Sequence, residues 1–450
     1  MSELKAGKYQ TYPEYKDSNI DWLAAIPEHW TTSKLRYTFS FGKGLTITKE
    51  NLRDTGIPCV NYGEVHSKYG FEVNPQKHPL KCVGEEYVKT SPYALLQNGD
   101  IVFADTSEDI DGSGNFTQLV SDEQIFAGYH TIIARPFDRE CRRFYAYLLD
   151  SKELRTQIRH AVKGVKVFSI TQAILRGVNI WLPPIDERTQ IANFLDHETA
   201  KIDTMIEKQQ QLIKLLKEKR QAVISHAVTK GLNSNAPMKD SGVEWFGEVP
   251  EHWVVTRAKY VSKIFVPQRN KPELNDSNGM VWATMEDMKQ QYIYTTSNFV
   301  SPESILSAGS KLLKAGSVIA SCVGNFGVTS INKIDVIINQ QLQAFQPVNI
   351  KAEYLQSIVT LSKQYFELIG TAATLVYVNQ EGFENLPVLM PTGKEQSEIS
   401  DYILEKNTSF DLLIEKSIIQ ISLLKERRTA LISAAVTGKI DVRHWERPND

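Results

Sequence analysis

The segment KDSNIDWLAAIPEHW at residues 16–30 recurs as KDSGVEWFGEVPEHW at residues 239–253, with eight of fifteen positions identical. A second segment, DTMIEKQQQLIKLLKEKRQAVISHAVT at residues 203–229, recurs as DLLIEKSIIQISLLKERRTALISAAVT at residues 411–437, with sixteen of twenty-seven positions identical. Self-similarity of this length is the signature of a duplicated structural unit. The sequence therefore predicts two copies of one unit in a single chain.

The two copies agree at their ends and diverge between them. The first pair of segments is offset by 223 residues and the second by 208, so the first copy carries 15 more residues between its matched ends. Shared ends with a variable middle indicate one architecture with two specificities.

The tail is polar and lacks periodicity, so we expect it to be lightly packed. The predicted boundaries are an N-terminal extension at 1–15, a variable domain at 16–182, a helix at 183–230, a linker at 231–242, a second variable domain at 243–390, a second helix at 391–438 and a tail at 439–450.

Each copy ends in a long helix that starts after proline. After Pro183 and Pro184, and again after Pro391, apolar residues follow the seven-residue repeat of a coiled-coil seam. About forty residues at ~1.5 Å each give rods of roughly 60 Å, which favours packing of the two helices against each other. The predicted fold class is α+β, with two pseudo-repeated mixed α/β domains separated by two long helices that form a coiled coil. An antiparallel coiled coil is what a chain that leaves one helix, builds a second domain and returns would allow. The predicted seam residues are Leu195, Ile202, Ile206, Gln209, Ile213, Leu216, Val223, Ile403, Phe410, Ile414, Ser417, Ile421, Leu424 and Leu431.

Two polar residues, Gln209 and Ser417, interrupt the seam at equivalent positions. Antiparallel pairing would bring them together at the centre, where they would fix the register at some cost in stability. Replacing both with Leu is expected to raise the melting temperature and loosen the register. The charged runs at 217–220 and 425–428 are interpreted as solvated flanks or partner contacts.

The composition is that of an ordinary globular protein. Of 450 residues, 42% are hydrophobic and 23% are charged, and no apolar run is long enough to cross a membrane. The N-terminus lacks the pattern of a secretory signal, so we expect a cytoplasmic protein. A net charge of −2 excludes a generally basic nucleic-acid coat, and any nucleic-acid surface must be local. The cysteines form no close pair and are predicted to be buried free thiols: Cys59, Cys82, Cys141 and Cys322.

The sequence carries no recognisable catalytic motif. No Gly-Lys pair is followed by Ser or Thr, so a P-loop is missing, and the single Pro-Pro pair lacks the Asn-Pro-Pro-aromatic pattern of amino-methyltransferases. Isolated glycine pairs at 42–44 and 112–114 are interpreted as loop glycines. His29 and His252 are interpreted as packed turn residues, and the acidic residues between 105 and 111 as a solvated loop rather than a metal site. We therefore predict no catalytic residue, metal site or cofactor in this chain.

Taken together, these motifs resemble the specificity subunit of Type I restriction-modification systems, the HsdS family. The resemblance covers nearly the whole chain and departs from the common pattern in three places. Residues 164–166 and 371–374 stand where the family often has Gly-Ser-Thr, and Arg188 stands where Gln is common. The motifs that carry the resemblance are Trp22 with 27–30, Trp245 with 250–253, and the segments 183–191, 391–399 and 437–441.

The resemblance implies two target-recognition domains, each recognising one half of a bipartite, asymmetric DNA site. The helices would set the spacing and dock two methyltransferase subunits, joined in the full complex by two restriction subunits. Those partners would use S-adenosylmethionine, ATP and Mg, directing adenine-N6 methylation and ATP-dependent restriction, while this chain would be no enzyme itself. Half-sites at least one helical turn apart, about 34 Å, fit a long rigid spacer.

Candidate DNA contacts are polar residues in loops and on one helix face, since Arg, Lys, Asn and Gln supply base-edge and phosphate contacts. The helical spacing of four basic residues between 155 and 166 suggests a phosphate-facing stripe, with a solvated face as the alternative. Because the domains are near neutral, we expect partner subunits to supply much of the DNA affinity and the isolated chain to bind weakly. The candidates are Lys43, Asn61, Tyr62, Arg155, Arg159, Lys163, Lys166, Arg269, Lys271, Thr284, Asn325, Gln340 and Gln341.

Two other classes of function compete with this interpretation. A self-sufficient DNA enzyme would need a carboxylate cluster or a cofactor loop, and neither copy shows one with suitable spacing. A coiled-coil scaffold or adaptor unrelated to DNA would use the variable domains to bind proteins. Loss of DNA methylation on deletion of the gene separates this scaffold from a DNA specificity subunit.

Overall fold

The computed structural model describes residues 9–162, 168–275, 279–370 and 376–448. Two compact units share the chain: unit 1 holds residues up to Gln209 and from Ile419 onward, and unit 2 holds Gln210–Ile418. Each unit thus contains one variable region together with a part of each long helix.

Unit 1 is built from short strands and mostly short helices, and its last helix in this part of the chain continues into unit 2. The helices are α1 (Glu86–Thr90), α2 (Arg142–Asp150), α3 (Lys152–Ala161), α4 (Gln172–Gly177) and α5 (Ile185–Lys230). The strands are β1 (Tyr15–Ile20), β2 (Leu23–Pro27), β3 (Thr31–Lys34), β4 (Phe39–Lys43), β5 (Ile57–Val60), β6 (Phe71–Val73), β7 (Cys82–Val83), β8 (Leu95–Leu96), β9 (Ile101–Ala104), β10 (Thr106–Ser107), β11 (Phe116–Leu119), β12 (Ile125–Ala127), β13 (Thr131–Pro136), β14 (Phe168–Ser169) and β15 (Asn179–Leu182).

Unit 2 repeats this composition. Its helices are α6 (Ala258–Val261), α7 (Pro302–Ala308), α8 (Ala352–Leu361), α9 (Lys363–Ile369), α10 (Gln380–Glu384) and α11 (Gly393–Val436), the last of which continues into unit 1. Its strands are β16 (Met238–Asp240), β17 (Glu248–Pro250), β18 (Val254–Arg257), β19 (Ser262–Phe265), β20 (Leu274–Asn275), β21 (Met280–Ala283), β22 (Tyr292–Ile293), β23 (Asn298–Val300), β24 (Val318–Ser321), β25 (Thr329–Asn332), β26 (Ile337–Ile338), β27 (Leu342–Pro347) and β28 (Pro387–Met390).

The central sheet of each unit has the same topology. In unit 1 the five strands lie in the order β4-β13-β9-β11-β6, and in unit 2 in the order β19-β27-β24-β25-β22. The first three pairings are antiparallel and the last is parallel in both units. All four residues of β9 and of β24 are buried, as expected for strands covered on both faces. The duplication in the sequence is therefore a duplication of topology.

A second, four-stranded sheet shares three strands between the units and differs in the position of the fourth. Its order is β7-β5-β12-β8 in unit 1, with β12 pairing parallel to β5 and antiparallel to β8. The order in unit 2 is β20-β23-β21-β26, in which β21 pairs antiparallel with β23 and parallel with β26. This sheet lies in the part of the sequence where the two copies have diverged.

The long helices run antiparallel within each unit. In unit 1, Asp203 of α5 contacts Arg428 of α11 at 3.1 Å, while the indole of Trp181, just before α5, donates to the carbonyl of Val436. In unit 2, Arg220 of α5 contacts Asp411 of α11. Every predicted seam residue is buried or half-buried, so the predicted fold class, including the antiparallel helix pair, is confirmed. Ser417 is buried and its hydroxyl donates to its own helix, and its meeting with Gln209 stays a prediction.

Two expectations about connecting segments differ from the structure. Part of the predicted linker at 231–242 forms β16, which pairs with β17. The expectation of a lightly packed tail is wrong: Val442 is 1% exposed, Asp441 forms a β-bridge with Gln10, and Trp445 packs on Phe194 with ring centroids 5.5 Å apart. Because the partners of the tail lie hundreds of residues earlier in the chain, local periodicity gave no indication of this packing.

The four cysteines are free and buried, as predicted. Burial raises the pKa of the Cys322 thiol to about 12, so this thiol stays protonated at neutral pH. Within the described ranges, no helix is both long enough and apolar enough to span a membrane.

Candidate nucleic-acid interface

The repeated Pro-Glu-His-Trp motif is held by the first turn of a long helix. In unit 1 the Glu187 carboxylate of α5 accepts a hydrogen bond from the indole of Trp30 at 2.9 Å and lies 2.8 Å from Nε2 of His29. The Tyr12 hydroxyl donates to the same carboxylate, and its pKa is raised by burial and by Glu187. This network fixes the N-terminal segment, the motif and the start of α5 to one another.

Unit 2 repeats the same network at the start of α11. The Glu395 carboxylate lies 2.9 Å from Nε2 of His252 and accepts from the indole of Trp253 at 3.3 Å. Burial alone would raise the pKa of Glu395, but hydrogen bonds from His252, Thr392 and Trp253 outweigh it and lower the pKa to about 2. His29 and His252 lie in turns, as predicted, but both are exposed, so they are held by the hydrogen bond to a helix-start glutamate and not by packing. Among the described residues, no group of three His, Cys, Asp or Glu side chains could hold a metal ion.

The first-domain candidates near the sheet separate into exposed and inward-facing residues. Lys43 is exposed at the end of β4. Tyr62 is half-buried, and burial raises the pKa of its hydroxyl, with the nearby Glu108 adding to the effect. Asn61 is only 1% exposed, and its amide donates to the carbonyl of Cys59. Its side chain is therefore unable to reach a base edge in this conformation.

The predicted basic stripe is paired with carboxylates where the structure describes it. The guanidinium of Arg155 donates to Asp150 at 3.1 Å and to Asn115 at 3.0 Å. Arg159 lies 3.3 Å from the carboxylate of Asp111 and donates to the carbonyl of the same residue. Lys163 and Lys166 lie outside the described residues. Both arginines of the stripe therefore make contacts within the protein, and their contact with DNA stays a prediction.

An acidic loop follows β9 at the end of the sheet where Lys43 lies. His130, which precedes β13, has Nδ1 3.3 Å from the carboxylate of Asp105. We call this end of unit 1 the Lys43 edge; it comprises Lys43, Tyr62, Asp105 and His130 with the acidic loop at 105–111.

The equivalent end of the unit 2 sheet gathers several second-domain candidates. The side chain of Gln340 donates to the carbonyl of Arg269 at 3.1 Å, and the carbonyl of Gln341 accepts from the backbone of Cys322 at 2.9 Å. Asn325 is exposed in the loop that follows Cys322, and Lys271 is exposed two residues after Arg269. The structure thus brings together candidates that lie about seventy residues apart in the sequence.

Tyr377 lies at the same end and was missed by the sequence analysis. It forms a β-bridge with Val323 and is 40% exposed. Burial raises the pKa of its hydroxyl, and the positive charge of nearby Arg269 opposes that rise. The signal available was its place just before Val378-Asn379-Gln380, which echoes Ile170-Thr171-Gln172 of the first copy. We call this end the Arg269 edge; it comprises Arg269, Lys271, Asn325, Gln340, Gln341 and Tyr377.

Thr284 serves as a helix cap. Its backbone N–H and its hydroxyl both donate to the Asp287 carboxylate at 2.8 Å, forming a capping box at the start of the turn Met285–Lys289. At the equivalent position in unit 1, the backbone N–H of Asn61 donates to the Glu64 carboxylate at 3.2 Å. The match between these two residues therefore reflects a shared local fold.

The comparisons with known proteins agree with this architecture. A family model described as Type I restriction modification DNA specificity domain matches residues 27–215 and 250–422. The chain belongs to the Type I restriction-modification DNA specificity family. It is 24% identical over 315 residues to the type I restriction enzyme MjaVIII specificity subunit of Methanocaldococcus jannaschii, an alignment that covers 67% of this chain and 70% of that protein.

Two solved structures share the fold of this chain along nearly its whole length. A chain solved in work on complex assembly and conformational transition of the type I R-M system superposes with a TM-score of 0.69 at 18% identity, covering 92% of this chain and 99% of that one. The HsdS subunit from Thermoanaerobacter tengcongensis gives a TM-score of 0.51 at 17% identity, covering 92% and 98%. The relatives are specificity subunits, so the family role is recognition of DNA sequence and not catalysis.

The departure at Arg188 is accommodated in this specificity chain. Its guanidinium donates to the carbonyl of Pro183 at 2.7 Å. The equivalent residue in the second copy, Gln396, donates to the carbonyl of Pro391 at 3.2 Å. Either side chain therefore caps the proline turn that starts a long helix. The other departures, at 164–166 and 371–374, lie outside the described residues.

Proposed function

We propose that each unit of this chain recognises one half of a bipartite, asymmetric DNA site. The helices would set the spacing between the half-sites and dock two methyltransferase subunits. In the full complex, two restriction subunits would add ATP-dependent cleavage to adenine-N6 methylation. This chain would act in the cytoplasm and bind no cofactor, while the partner subunits would use S-adenosylmethionine, ATP and Mg.

One observation carries the proposal: a shared sheet presents different polar groups at the same end in the two units. The Lys43 edge offers carboxylates and His130, whereas the Arg269 edge offers a guanidinium and amides. Carboxylates accept hydrogen bonds from the amino group of cytosine, amides pair with adenine, and Arg pairs with guanine. Two chemically different edges on one scaffold are what recognition of an asymmetric site requires.

We propose a smaller set of DNA contacts than the sequence alone suggests. We retain Lys43 and Tyr62 in unit 1, with the carboxylates and His130 of the Lys43 edge beside them. In unit 2 we retain Arg269, Lys271, Asn325, Gln340 and Gln341, to which Tyr377 is added. Asn61, Thr284, Arg155 and Arg159 are assigned to internal contacts on the evidence of their hydrogen bonds.

The long helices support the proposed spacing and docking. Helix α5 has 46 residues, which at about 1.5 Å per residue corresponds to a rod of roughly 69 Å. Outside its seam, each unit leaves apolar helix residues exposed, as expected for a surface that a partner covers. These residues are Met205, Ile419 and Leu423 in unit 1, and Leu212, Leu215, Leu404, Leu412, Leu413 and Ile418 in unit 2.

The test is modified-base sequencing of the host genome with the gene, without it, and with the Arg269→Ala variant restored. Deletion is expected to remove N6-methyladenine from one split motif. The variant is expected to change or lose methylation through one half of that motif only. Unchanged methylation after deletion, in a host whose methyltransferase subunit is expressed, would refute the DNA role and leave the non-DNA scaffold.

A further inference from the structure

An exposed tyrosine beside a cation occurs at the same place in both units. Tyr37 and Tyr260, which are 223 residues apart, are each 67% exposed. The guanidinium of Arg36 lies 5.0 Å from the ring centre of Tyr37, and the ammonium of Lys259 lies 5.5 Å from that of Tyr260. Each pair is a cation–π contact that directs a positive charge and an aromatic surface toward solvent.

A second exposed apolar residue stands next to each tyrosine. The backbone N–H of Phe137 donates to the carbonyl of Thr38 at 2.9 Å, and that of Val348 donates to the carbonyl of Val261 at 2.9 Å. Phe137 is 66% exposed and Val348 is 59% exposed. We call these places the Tyr37 corner (Arg36, Tyr37 and Phe137) and the Tyr260 corner (Lys259, Tyr260 and Val348).

The buried residues around the corners have changed between the copies, while the exposed pair has been kept. The buried residues Leu35, Thr38 and Phe39 of unit 1 are replaced in unit 2 by Ala258, Val261 and Ser262, which are also buried. Packing constrains buried positions more tightly than exposed ones. Retention of an exposed basic-tyrosine pair against this trend indicates a constraint from outside the fold.

The corners lie at the end of each sheet opposite to the proposed DNA edges. In unit 1, Phe39 pairs with Pro136 near the Tyr37 corner, and Lys43 pairs with Ile132 at the other end of the same two strands. In unit 2, Ser262 pairs with Pro347 near the Tyr260 corner, and the Arg269 edge lies beyond the other end of β19. Four residue steps at about 3.3 Å separate the ends of β4 by roughly 13 Å.

We propose that the two corners are equivalent docking sites for a protein subunit that binds in two copies, one on each unit. This inference rests on the proposed function, in which the long helices dock that subunit, the methyltransferase, and the corners add a second contact with the same subunit. Equivalent sites in a duplicated chain fit two identical partners. The expected partner surface is an apolar pocket with a carboxylate at its rim, complementary to the tyrosine, its apolar neighbour and its cation.

The side-chain chemistry favours a protein over DNA as the occupant. Tyr, Phe and Arg are enriched in the buried centres of protein interfaces, where Tyr and Arg dominate the binding energy. A phosphate backbone would be bound by several cations, and Phe137 and Val348 would contribute nothing to that contact. The corners also lie at the opposite end of each sheet from the proposed DNA edges, which likewise favours a protein as the occupant.

The experiment counts the methyltransferase subunits that bind the full-length chain when both are co-expressed and purified. Native mass spectrometry is expected to show two subunits on the unaltered chain. Tyr37→Glu and Tyr260→Glu are each expected to weaken the binding of one subunit at least tenfold, and the double variant to weaken both. Arg36→Glu and Lys259→Glu should reproduce the respective losses. Tyr294→Glu is the matched control, because Tyr294 is similarly exposed and belongs to neither corner.

The possible outcomes distinguish a failure of the docking proposal from a failure of the proposed function. If the corner variants keep two subunits at unaltered affinity, the docking proposal is wrong. If they keep two subunits but lose affinity for the methylated motif, the corners contact DNA and the proposal is equally wrong. If the unaltered chain binds no methyltransferase subunit, the docking part of the proposed function fails first. Melting temperatures equal to that of the unaltered chain show that a loss of binding is not a loss of folding.

Discussion

Arg428 donates a hydrogen bond through Nε to the Asp203 carboxylate at 3.1 Å. The residues equivalent to these two in the other copy of the repeat form a second pair. Residue 203 corresponds to Asp411 and residue 428 to Arg220, and these two also form an ion pair. Each copy thus gives its aspartate to one contact and its arginine to the other, the relationship of an isologous interface. The repeat in the sequence is therefore also the means by which the long helices pair.

The two arginines are expected to differ in their contribution to stability. Each arginine lies over an aromatic ring, Arg428 over Phe71 and Arg220 over Phe410. Arg428 also lies 3.5 Å from Asp150, whereas the single ion-pair partner seen for Arg220 among the described residues is the well-exposed Asp411. Arg428→Met should lower the free energy of unfolding by about 1–2 kcal/mol, because it leaves the half-buried Asp203 carboxylate without this donor, while Asp150 keeps its contact with Arg155. Arg220→Met should cost less than about 1 kcal/mol, as exposed ion pairs do. Urea unfolding of the two variants checks the order, and equal losses would contradict it.

Glu395 is expected to make stability depend on acid pH. Its folded pKa is lowered to about 2 from an ordinary value of 4.5, so ionisation favours the folded state. That contribution is fully present above about pH 4.5 and is lost as pH falls toward 2. Glu395→Gln should therefore flatten the fall of melting temperature between pH 5 and 3. Glu398→Gln, on the same helix but without the His252 and Trp253 contacts, serves as the control and should keep the fall.

In unit 2, we expect one substitution to change stability without changing DNA recognition, and another to do the reverse. Thr284→Ala removes a capping box and should lower stability by about 1 kcal/mol. Because Thr284 faces its own turn, the methylated motif should stay the same. Gln341 is exposed at the Arg269 edge. Gln341→Ala should therefore alter one half of the methylated motif without changing the melting temperature. Thermal unfolding together with methylation sequencing checks both variants, and a motif change in Thr284→Ala would oppose its assignment as a cap.

The repeated segments predicted the scaffold because the repeated residues are those that build it. Trp30 and Trp253 bind the helix-start glutamates, and the heptad positions form the helix seam. The surroundings of the candidate site residues could not be predicted in the same way, since residue type does not tell which way a polar side chain turns. Asn61 and Thr284 look like base contacts in the sequence, yet both sit in turns closed by a carboxylate three residues later.

Pairing over long sequence distances accounts for two further differences between the sequence pattern and the structure. Arg159 has the spacing of a phosphate-facing stripe, but Asp111, 48 positions earlier, neutralises it. The tail looks unstructured by itself and is packed because Gln10 and Phe194 lie against it. Such contacts depend on the completed topology, which local sequence patterns do not specify.

The acidic loop of unit 1 is expected to limit binding to unrelated DNA. Glu108 and Asp109 are exposed at the Lys43 edge, where they would repel a phosphate backbone. The double variant Glu108→Gln with Asp109→Asn should raise affinity for a random duplex about two- to fivefold at low salt, through loss of that repulsion. The gain should vanish at about 0.5 M salt, where the screening length is only a few ångströms. The control variant, Asp122→Asn with Glu123→Gln, changes charge equally in the turn after β11, at the opposite end of the sheet. Fluorescence anisotropy at several salt concentrations measures both, and an equal gain in the control would mean that overall charge, and not the Lys43 edge, governs DNA binding.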